Sequence, residues 1–508
     1  NPGTTAGTVT YIVTSSANSC PGAATNIVGT VNPAPNVTTS SPTIICSGTA
    51  TNIILNSNVT GTTYSWTVGP ITGGITGASA SSGPTISQTL TNPGIIAGTV
   101  TYIVSPSANG CPGIPINILV TVNPAPNVTT TGPTTICSGD TTNIVLNSNV
   151  SGTTFSWTIG TITGGITGAS ASSGSTISQT LTNSGATAGT VTYIVIPSAS
   201  TCPGVATNIV VTVNPTPNVT TASSTTICSG TSTNIVLNSN VTGATYDWTI
   251  GTIIGGITGA SASSGSTISQ ALNNPGTTAG TVTYIVTPLA NGCPGIPTNI
   301  VVTVNPIPNV TTSSPTIICS GDTTNIVLNS NVSGTTFSWT IGPITGGITG
   351  ASTSSGSSIT QTLTNPGTTA GTVTYIVTPS ASACPGIPIN VVITVNPSPN
   401  VTTTSPTTIC SGDPTNIVLN SNVAGATFSW TIGTITGGIT GASASSGSII
   451  SQTLDNPGTT AGTVTYIVTS SANSCPGAAT NIVGTVNPAP NVTTSSPTII
   501  CSGTATNI

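Results

Sequence analysis

Short stretches of the chain alternate between apolar and polar residues, and runs of Gly, Pro, Asn and Ser separate these stretches. In the stretch TTYSWTV, the side chains of Tyr64, Trp66 and Val68 fall on one face of an extended chain, and the hydroxyl residues between them fall on the other. The stretch GTVTYIV alternates in the same way and turns Tyr102 inward. Alternation with a period of two residues predicts β-strands that have one buried face.

The 508-residue chain repeats this pattern every 91 residues. The phrase NPGTTAGTVTYIV begins at Asn1, Asn274, Asn365 and Asn456, and altered copies begin at Asn92 and Asn183. Each unit carries about seven short strands separated by turn residues, with a Trp on an early strand. A fixed period near the length of a small domain favours tandem domains over one large core. We therefore expect an all-β fold, in which immunoglobulin-like β-sandwich domains of 91 residues form a linear array.

A proline-rich pentapeptide separates consecutive units and predicts a stiff, extended joint. It reads NPAPN at Asn32, Asn123 and Asn487, NPTPN at Asn214, NPIPN at Asn305 and NPSPN at Asn396. Division at these joints gives five whole domains, numbered here as repeats one to five: 34–124, 125–215, 216–306, 307–397 and 398–488. Residues 1–33 then form the C-terminal part of another repeat, and residues 489–508 form the N-terminal part of one.

The two ends of the chain share one sequence. Residues 1–53 are identical to residues 456–508, whereas neighbouring repeats differ at many positions. There is no Met anywhere, so we expect the chain to be a fragment or processed product, cut from a much longer array. Completion of each end by a second chain is disfavoured, because residues 1–33 and 489–508 together are shorter than one unit.

All aromatic residues occupy three positions of the repeat, which predicts a repeated hydrophobic core. We interpret them as core residues and not as a platform for stacking ligands, because alternation places the rings on the apolar face. The tryptophans and the tyrosines of the VTYIV motif in the five whole repeats are Trp66, Trp157, Trp248, Trp339, Trp430, Tyr102, Tyr193, Tyr284, Tyr375 and Tyr466.

The charge composition excludes most kinds of chemistry. The chain has no Lys, Arg or His, and its five acidic residues are all Asp. Without basic residues it cannot neutralise nucleic-acid phosphates, and without a poised acid or base we expect no catalytic residue and no enzyme activity. Asp140, Asp322 and Asp413 share one position after a CSG triplet, where other repeats carry Thr, so we interpret them as turn residues.

Metal, cofactor and membrane sites are not predicted either. One isolated carboxylate per repeat does not supply the oxygen ligands of a calcium site, and the cysteines lack the spacing of a zinc site. The Gly-rich run GPITGGITGAS at 69–79 lacks the Lys of a phosphate-binding loop and predicts a flexible connection between strands. No apolar stretch reaches the length of a membrane-spanning helix.

The 12 cysteines occupy two positions of the repeat. One series lies within an SCPG-like motif, at Cys20, Cys111, Cys202, Cys293, Cys384 and Cys475, and the other begins a CSG motif, at Cys46, Cys137, Cys228, Cys319, Cys410 and Cys501. Regular spacing predicts disulfides and an oxidising, extracellular compartment. The residues alone leave three pairings open for Cys46: with Cys111 in the same domain, with Cys20 across the joint, or with Cys202 of the following domain.

The order of motifs resembles a known family. The units carry their motifs, or close variants of them, in a fixed order: ICSG, then YSW or FSW, then a Gly/Ser-rich middle, then VTYIV and NGCPG. This order is similar to that of the PKD-like, immunoglobulin-type repeats of large Bacteroidetes surface proteins, including gliding-motility adhesins. The resemblance implies export to the cell surface and a role in adhesion or as a stalk. It also implies disulfides within each domain, namely Cys46–Cys111, Cys137–Cys202, Cys228–Cys293, Cys319–Cys384 and Cys410–Cys475. The complete loss of basic residues departs from the family.

We expect the function to be geometric, because a domain that buries its own core does not need the array for stability. The leading hypothesis is a structural or adhesive extracellular filament or stalk, with other copies of the chain and a surface or glycan as partners. A nearly uncharged surface favours lateral bundling. The alternative is a binding module that contacts glycans or ice through outward Thr residues such as Thr99, Thr101, Thr190 and Thr192.

Overall fold

The computed structural model describes residues 1–39, 43–130, 135–312, 317–404 and 407–493. Regular structure in these ranges is β throughout, with no helix. Five hydrophobic clusters follow one another along the chain, one in each repeat. The predicted all-β class and the tandem organisation are therefore confirmed.

Four strands form most of the larger sheet of each repeat. The first strand ends at the CSG cysteine and is Thr43–Cys46, Thr135–Cys137, Ser224–Cys228, Ile317–Cys319 or Thr407–Cys410. The tryptophan strand is Thr63–Ile71, Thr154–Ile162, Thr245–Ile254, Thr336–Ile344 or Thr427–Ile435. The tyrosine strand is Gly98–Ala108, Gly189–Ala199, Gly280–Ala290, Gly371–Ala381 or Gly462–Ala472. The last strand is Ile116–Asn123, Thr207–Asn214, Thr298–Asn305, Ile389–Asn396 or Thr480–Asn487.

Two short strands complete this sheet. The serine strand pairs with the tryptophan strand and is Ser81–Ser82, Ser172–Ser173, Ser263–Ser264, Ser354–Ser355 or Ser445–Ser446. The cysteine strand pairs with the end of the tyrosine strand and is Cys111–Pro112, Cys202–Pro203, Cys293–Pro294, Cys384–Pro385 or Cys475–Pro476. The order across the sheet is first, last, tyrosine, tryptophan and serine strand.

The second layer of each sandwich consists of short strand pairs. They are Ile53–Ile54 with Thr85–Ile86, Ile144–Val145 with Thr176–Ile177, Ile235–Val236 with Thr267–Ile268, Ile326–Val327 with Ser358–Ile359, and Ile417–Val418 with Ile449–Ile450. Repeat one adds the pair Thr49–Ala50 with Thr89–Leu90. Outside the repeats, Gly7–Ala17 and Cys20–Val31 form a two-stranded hairpin.

Alternation along the strands places the core between the two layers. In repeat one, Val100, Tyr102 and Val104 are fully buried, and Trp66 is 4% exposed. Val104 lies opposite Trp66 and Tyr102 lies opposite Val68 in the antiparallel register of their strands, so each large ring faces an aliphatic side chain across the two central strands. Ile86 of the second layer closes the core from the other side and is also fully buried.

The Gly-rich run after the tryptophan strand is packed against the body of the repeat, contrary to the flexible connection that its composition predicts. Ile75 in this run is 4% exposed and belongs to the core of repeat one. Thr76 forms an isolated β-bridge with Thr91. Gly77 has a φ of 93°, and a Cβ atom there would collide with the carbonyl oxygen of Thr89. The glycines permit a close backbone approach at this position.

The first and last strands run parallel and define two ends of each repeat. In repeat one, Ile45 pairs with Val122 and Cys46 pairs with Asn123. The last strand leads into the next joint, so Cys46 lies at the downstream end, which faces the following repeat. The cysteine strand lies beside Ala108, at the far end of the tyrosine strand from Gly98. This other end is the upstream end, which faces the preceding repeat.

Candidate functional site: the joints between repeats

The CSG turn fixes its cysteine at the downstream end of each repeat. The Ser47 hydroxyl accepts a hydrogen bond from the Asn92 backbone N–H at 2.9 Å, and the Thr49 hydroxyl donates to the Cys46 carbonyl oxygen at 2.7 Å. In repeat two the Asp140 carboxylate accepts a hydrogen bond from the Cys137 N–H at 3.1 Å. Thr and Asp at this position therefore close the same turn by bonding opposite backbone groups of the cysteine.

Asp322 makes the same contact as Asp140, because its carboxylate accepts from the Cys319 N–H at 3.1 Å. In repeat five the Asp413 backbone N–H donates to the Cys410 carbonyl oxygen at 3.1 Å, which also belongs to this turn. The three acids lie in three different repeats, and none joins a cluster of metal ligands, since no group of three or more His, Cys, Asp or Glu forms within the described ranges. Their contacts agree with the interpretation as turn residues.

The second cysteine lies at the upstream end, just after the tip of the hairpin. In repeat one the tip residues Asn109 and Gly110 have φ values of 49° and 77°, the left-handed conformation of a tight turn. Gly113 then donates its N–H to the Pro106 carbonyl oxygen at 2.8 Å. A Cβ atom on Gly113 would collide with the carbonyl oxygen of Pro35, because the incoming joint passes directly against this glycine. The CPG motif is therefore shaped to receive the joint.

The joints are buried and hydrogen-bonded at both ends. Pro215 and Pro217 of the joint between repeats two and three are both buried. Asn214, at the start of the joint, donates from its side chain to the Asn291 carbonyl oxygen in the hairpin tip of repeat three at 3.1 Å. At the other end the Asn218 N–H donates to the Asn240 side chain at 2.7 Å. The proline-rich pentapeptide is thus a fixed connection and not a free linker.

Disulfides join consecutive repeats across these joints. The CSG cysteines of repeats one to four are each bonded to the cysteine strand of the following repeat, with Cα atoms 5.4 to 5.5 Å apart and a sequence separation of 156 residues. The four bonds are Cys46–Cys202, Cys137–Cys293, Cys228–Cys384 and Cys319–Cys475. Cys202, Cys293, Cys384 and Cys475 are each 1% exposed, so each bond is largely enclosed by the joint.

The intradomain pairing implied by the family resemblance is therefore wrong for Cys46–Cys111, Cys137–Cys202, Cys228–Cys293, Cys319–Cys384 and Cys410–Cys475. The reason is the parallel pairing of the first and last strands. Within one repeat, the two cysteines lie at opposite ends of the tyrosine strand, about 30 Å apart at about 3.3 Å per residue. A disulfide needs Cα atoms within about 7 Å.

Three cysteines of the described residues are unpaired, namely Cys20, Cys111 and Cys410. A partner 156 residues before Cys20 or Cys111, or 156 residues after Cys410, would fall outside positions 1–508. Cys501 lies outside the described residues. Every CSG cysteine for which the position 156 residues later falls inside the described ranges is bonded to the cysteine at that position.

The aromatic residues lie in the cores, away from the joints. Trp66, Trp157, Trp248, Trp339 and Trp430 are each 4% exposed, and Tyr102, Tyr193, Tyr284, Tyr375 and Tyr466 are fully buried. A shared polar network holds their polar atoms. In repeat one the Trp66 indole N–H donates to the Ser79 carbonyl oxygen at 3.2 Å, and the Tyr102 hydroxyl donates to the Gln88 side chain at 2.8 Å. Burial raises the pKa of these five tyrosines to about 12.

The outward Thr residues are partly engaged within the repeat. Thr99 and Thr101 are half-buried, as are Thr190 and Thr192. The hydroxyl groups of Thr99 and Thr72 lie 2.9 Å apart, and the Thr99 N–H donates to the Thr72 hydroxyl at 2.9 Å. These contacts leave less of the Thr99 hydroxyl available to an ice or glycan surface.

A shallow cleft recurs beside the tryptophan strand. In repeat two it has a volume of about 290 Å³ and is lined by Thr153, Thr154, Phe155, Ser173 and Ser175 with Gly174. Equivalent clefts occur in repeats one, four and five. The lining offers hydroxyl groups and one aromatic ring in each case, and it contains no carboxylate or thiol. The cleft therefore offers no acid–base or nucleophilic pair for catalysis.

Sequence reasoning missed the buried asparagine of the NPG motif. Asn92 is 6% exposed, and its side chain donates to the carbonyl oxygens of Ile96 and Val122 at 2.9 and 2.7 Å. The same side chain accepts from the Gly94 N–H at 2.9 Å. The Asn92 side chain therefore ties the end of the last strand to the NPG loop, and its backbone N–H bonds this loop to Ser47 of the CSG turn. The available signal in the sequence was that this Asn begins every copy of the repeated phrase NPGTTAGTVTYIV and its variants.

No helix within the described ranges has the length and apolarity to cross a membrane. Buried side-chain nitrogen and oxygen atoms in the same ranges all have a hydrogen-bond partner. The buried polar side chains of the described residues are thus used to hold the fold and the joints.

The fold and the joints together define a tandem array of immunoglobulin-like β-sandwich units with disulfides between consecutive units. The chain belongs to the PKD-like domain family, whose sequence profile matches residues 43–126, 134–217, 225–308, 316–399 and 407–490. This membership confirms the resemblance to PKD-like repeats. A comparison with curated proteins finds no match.

Among solved structures, the chain is similar to the protocadherin GammaB4 extracellular domain, at 13% identity, over 92% of this chain and 87% of that one, with a TM-score of 0.22. It is also similar to the human desmocollin-1 ectodomain, at 11% identity, over 90% and 99%, with a TM-score of 0.22. Sidekick-1 immunoglobulin domains 1–5 match at 11% identity, over 90% and 99%, with a TM-score of 0.20. These TM-scores are too low for the whole chains to superimpose.

Proposed function

We propose that the chain is an extended extracellular stalk or filament segment, structural or adhesive in role, whose repeats act as spacers and not as catalysts. Membership of the PKD-like family in five tandem copies supports this proposal. Disulfides at four consecutive joints support an oxidising, extracellular location. The absence of Lys and Arg removes every site for trypsin-like proteases, which suits a protein exposed outside the cell.

One observation carries the proposal, namely the large accessible surface of the chain. It is 25786 Å², whereas a compact protein of 49.2 kDa exposes about 17,000 Å². Five separate globules, each with one fifth of that mass, expose about 26,000 Å² together. The chain therefore has the surface of a string of small domains that contact one another only at their ends.

Small-angle X-ray scattering of the oxidised 508-residue protein tests this proposal. Five sandwiches in line, each about 40 Å long, form a rod of about 200 Å with a radius of gyration of about 60 Å. A compact chain of this length has a radius of gyration of about 23 Å. A value near the smaller figure would contradict the stalk.

Self-association is the partner interaction that we propose. The repeats carry almost no charge, so copies lying side by side repel one another weakly. Aliphatic residues at one repeat position are exposed in four successive copies, at Ile114, Val205, Ile296 and Ile387. Sedimentation of the oxidised protein over a range of concentrations should show association. A monomer at every concentration would leave the chain as an isolated stalk.

The binding module remains the alternative, and the engaged hydroxyl of Thr99 counts against it. Ice-recrystallisation and glycan-array measurements on the 508-residue protein separate the two functions. A spacer should be inert in both measurements. Saturable binding that is lost on Thr-to-Val substitution at the outward positions would favour the binding module.

A further inference from the structure

Each joint is crossed by two covalent connections that leave and enter different strands. Between repeats two and three, the polypeptide leaves the last strand Thr207–Asn214 and enters the first strand Ser224–Cys228. The disulfide leaves the first strand of repeat two at Cys137 and enters the last strand of repeat three through Cys293. The peptide chain therefore connects the preceding repeat to the first strand, and a disulfide connects the end of that strand to the following repeat. For the last strand, a disulfide connects its start to the preceding repeat, and the peptide chain connects its end to the following repeat.

We propose that these connections form two continuous covalent paths, which carry tension along the array while the tryptophan strand, the tyrosine strand and the second layer of each repeat stay outside both paths. Path one consists of residues 20–46, 202–228 and 384–410, joined by Cys46–Cys202 and Cys228–Cys384. Path two consists of residues 111–137, 293–319 and 475 onward, joined by Cys137–Cys293 and Cys319–Cys475. This inference rests on the proposed function, because tension acts on a stalk that is anchored and pulled.

The two paths lie side by side through the larger sheet of each repeat. In repeat three, path one uses the first strand and path two uses the last strand, and Ile227 pairs in parallel with Val304. Tension therefore pulls both strands in the same direction and produces little sliding between them. The tryptophan strand and the second layer belong to the segment between Cys228 and Cys293, which lies on neither path.

The covalent paths limit how far the array can lengthen, even after every core has unfolded. Each path advances two repeats through 26 residue steps and one disulfide whose Cα atoms are 5.4 to 5.5 Å apart. At about 3.6 Å per residue this is about 100 Å per two repeats, against about 80 Å folded. A repeat of 91 residues without disulfides extends to about 330 Å. The bonds therefore remove almost all of the extension that unfolding would release.

Single-molecule force spectroscopy on the full chain tests the two paths. Azide-bearing residues at the exposed positions Asn36 and Asp413 attach the handles to the two ends of path one without using cysteine chemistry. The oxidised protein should lengthen by less than about 100 Å and show no unfolding step of the length of a repeat. The same molecule in a strong reductant should show successive unfolding steps.

Two matched variants make the test specific. Cys228→Ser with Cys384→Ser breaks path one between the handles, so the shortest covalent connection gains about 100 residues, or about 360 Å. Cys137→Ser with Cys293→Ser removes the same chemistry from path two and leaves path one intact between the handles. The first variant should show large unfolding steps, and the second should behave like the parent protein.

Large unfolding steps in the oxidised parent, or equal extension of the two variants, would overturn the proposal. The parent protein tests it even if one variant fails to fold, because its limited extension does not depend on either substitution. Scattering distinguishes this failure from a failure of the proposed stalk. A compact particle would contradict the stalk, whereas long unfolding steps in a rod-like particle would contradict only the two paths.

Discussion

Residues 1–33 and residues 456–488 have the same sequence and lie in opposite surroundings. Tyr11 in the N-terminal hairpin is 60% exposed, and the equivalent Tyr466 in repeat five is fully buried. The hairpin turn is the same in both, because Asn18 and Ser19 have φ values of 47° and 65° and Asn473 and Ser474 have 49° and 66°. The turn is therefore fixed by local sequence, whereas burial requires the tryptophan strand and second layer that only repeat five supplies.

The joint accounts for a second difference between these regions. In the N-terminal hairpin, Cys20–Val31 is one continuous strand, whereas repeat five divides the same residues into Cys475–Pro476 and Thr480–Asn487. In repeat five Gly477 lies against the carbonyl oxygen of Pro399, and the Ser470 hydroxyl donates to that oxygen at 2.8 Å. The incoming joint therefore occupies the edge of the hairpin and interrupts the strand, while the cysteine keeps the same place beside the hairpin tip, where Cys20 pairs with Ala17 and Cys475 pairs with Ala472.

Trp430→Ala should have the largest effect, because it removes the main partner of the buried hairpin. Trp430 is 4% exposed, so its truncation should destabilise repeat five by about 3 to 5 kcal/mol. Hydrogen exchange should show lost protection along Gly462–Ala472, with the N-terminal hairpin unchanged. Ser429→Ala, on the outward face of the same strand, is the control. Equal protection in both variants would show that the hairpin does not depend on the core.

Asn456→Ala and Asn1→Ala compare one set of hydrogen bonds in two environments. Asn456 donates to the carbonyl oxygens of Thr460 and Val486, at 3.0 and 2.7 Å, and is 5% exposed. Asn1 makes the equivalent bonds at 2.8 and 2.7 Å in an exposed position. Loss of the buried side chain should cost about 2 to 4 kcal/mol in denaturant unfolding, since it leaves buried carbonyl groups unpaired. Loss of the exposed one should cost well under half as much.

Gly477→Ala tests whether the joint interrupts the last strand. The new methyl group would collide with the Pro399 carbonyl oxygen, so repeat five should lose about 1 to 3 kcal/mol and Cys319–Cys475 should be reduced more quickly. Gly484→Ala is the matched control, because no atom lies closer than 4.0 Å to its added Cβ. If the two variants melted at the same temperature, the contact between Gly477 and the Pro399 carbonyl oxygen would not contribute to stability.

Alkaline titration tests the burial of the five core tyrosines through the pH dependence of the stability of the repeats. Burial raises the pKa of Tyr466 and its four equivalents to about 12, above the value of 10.0 in an unfolded chain. The folded state therefore binds more protons than the unfolded state between these values. Stability should be fully present below pH 10 and should fall by on the order of 1 kcal/mol per repeat by pH 11. Phenolate absorbance that rose without a matching loss of stability would contradict this.

Much of the fold follows from local pattern. Alternation in TTYSWTV and GTVTYIV identifies the two central strands, and burial of Trp66 and Tyr102 agrees with the inward faces that alternation predicts. The repeat length and the proline joints indicate tandem domains. The packing of the Gly-rich run at 69–79 does not follow, because composition alone does not show that Ile75 reaches the core.

The disulfide pairing could not be decided from cysteine spacing. A loop between Cys46 and Cys111 and a loop between Cys46 and Cys202 differ little in closure entropy. The decisive fact is the parallel register of Cys46 with Asn123, which places the CSG turn at the downstream end. That register depends on pairing between the two ends of the repeat, and nothing in the local sequence of either strand specifies it.

Peptide mapping under non-reducing conditions tests the cross-repeat pairing most directly. Cleavage after the aromatic residues of the unfolded protein, with free thiols blocked, leaves six peptides that each contain two cysteines 26 residues apart. Pairing between consecutive repeats should give two separate three-peptide assemblies, one with Cys46, Cys202 and Cys384 and one with Cys137, Cys293 and Cys475. One assembly of all six peptides would establish intradomain bonds, and six unlinked peptides without blocked thiols would establish bonds across each joint within one peptide. Either result would contradict the account.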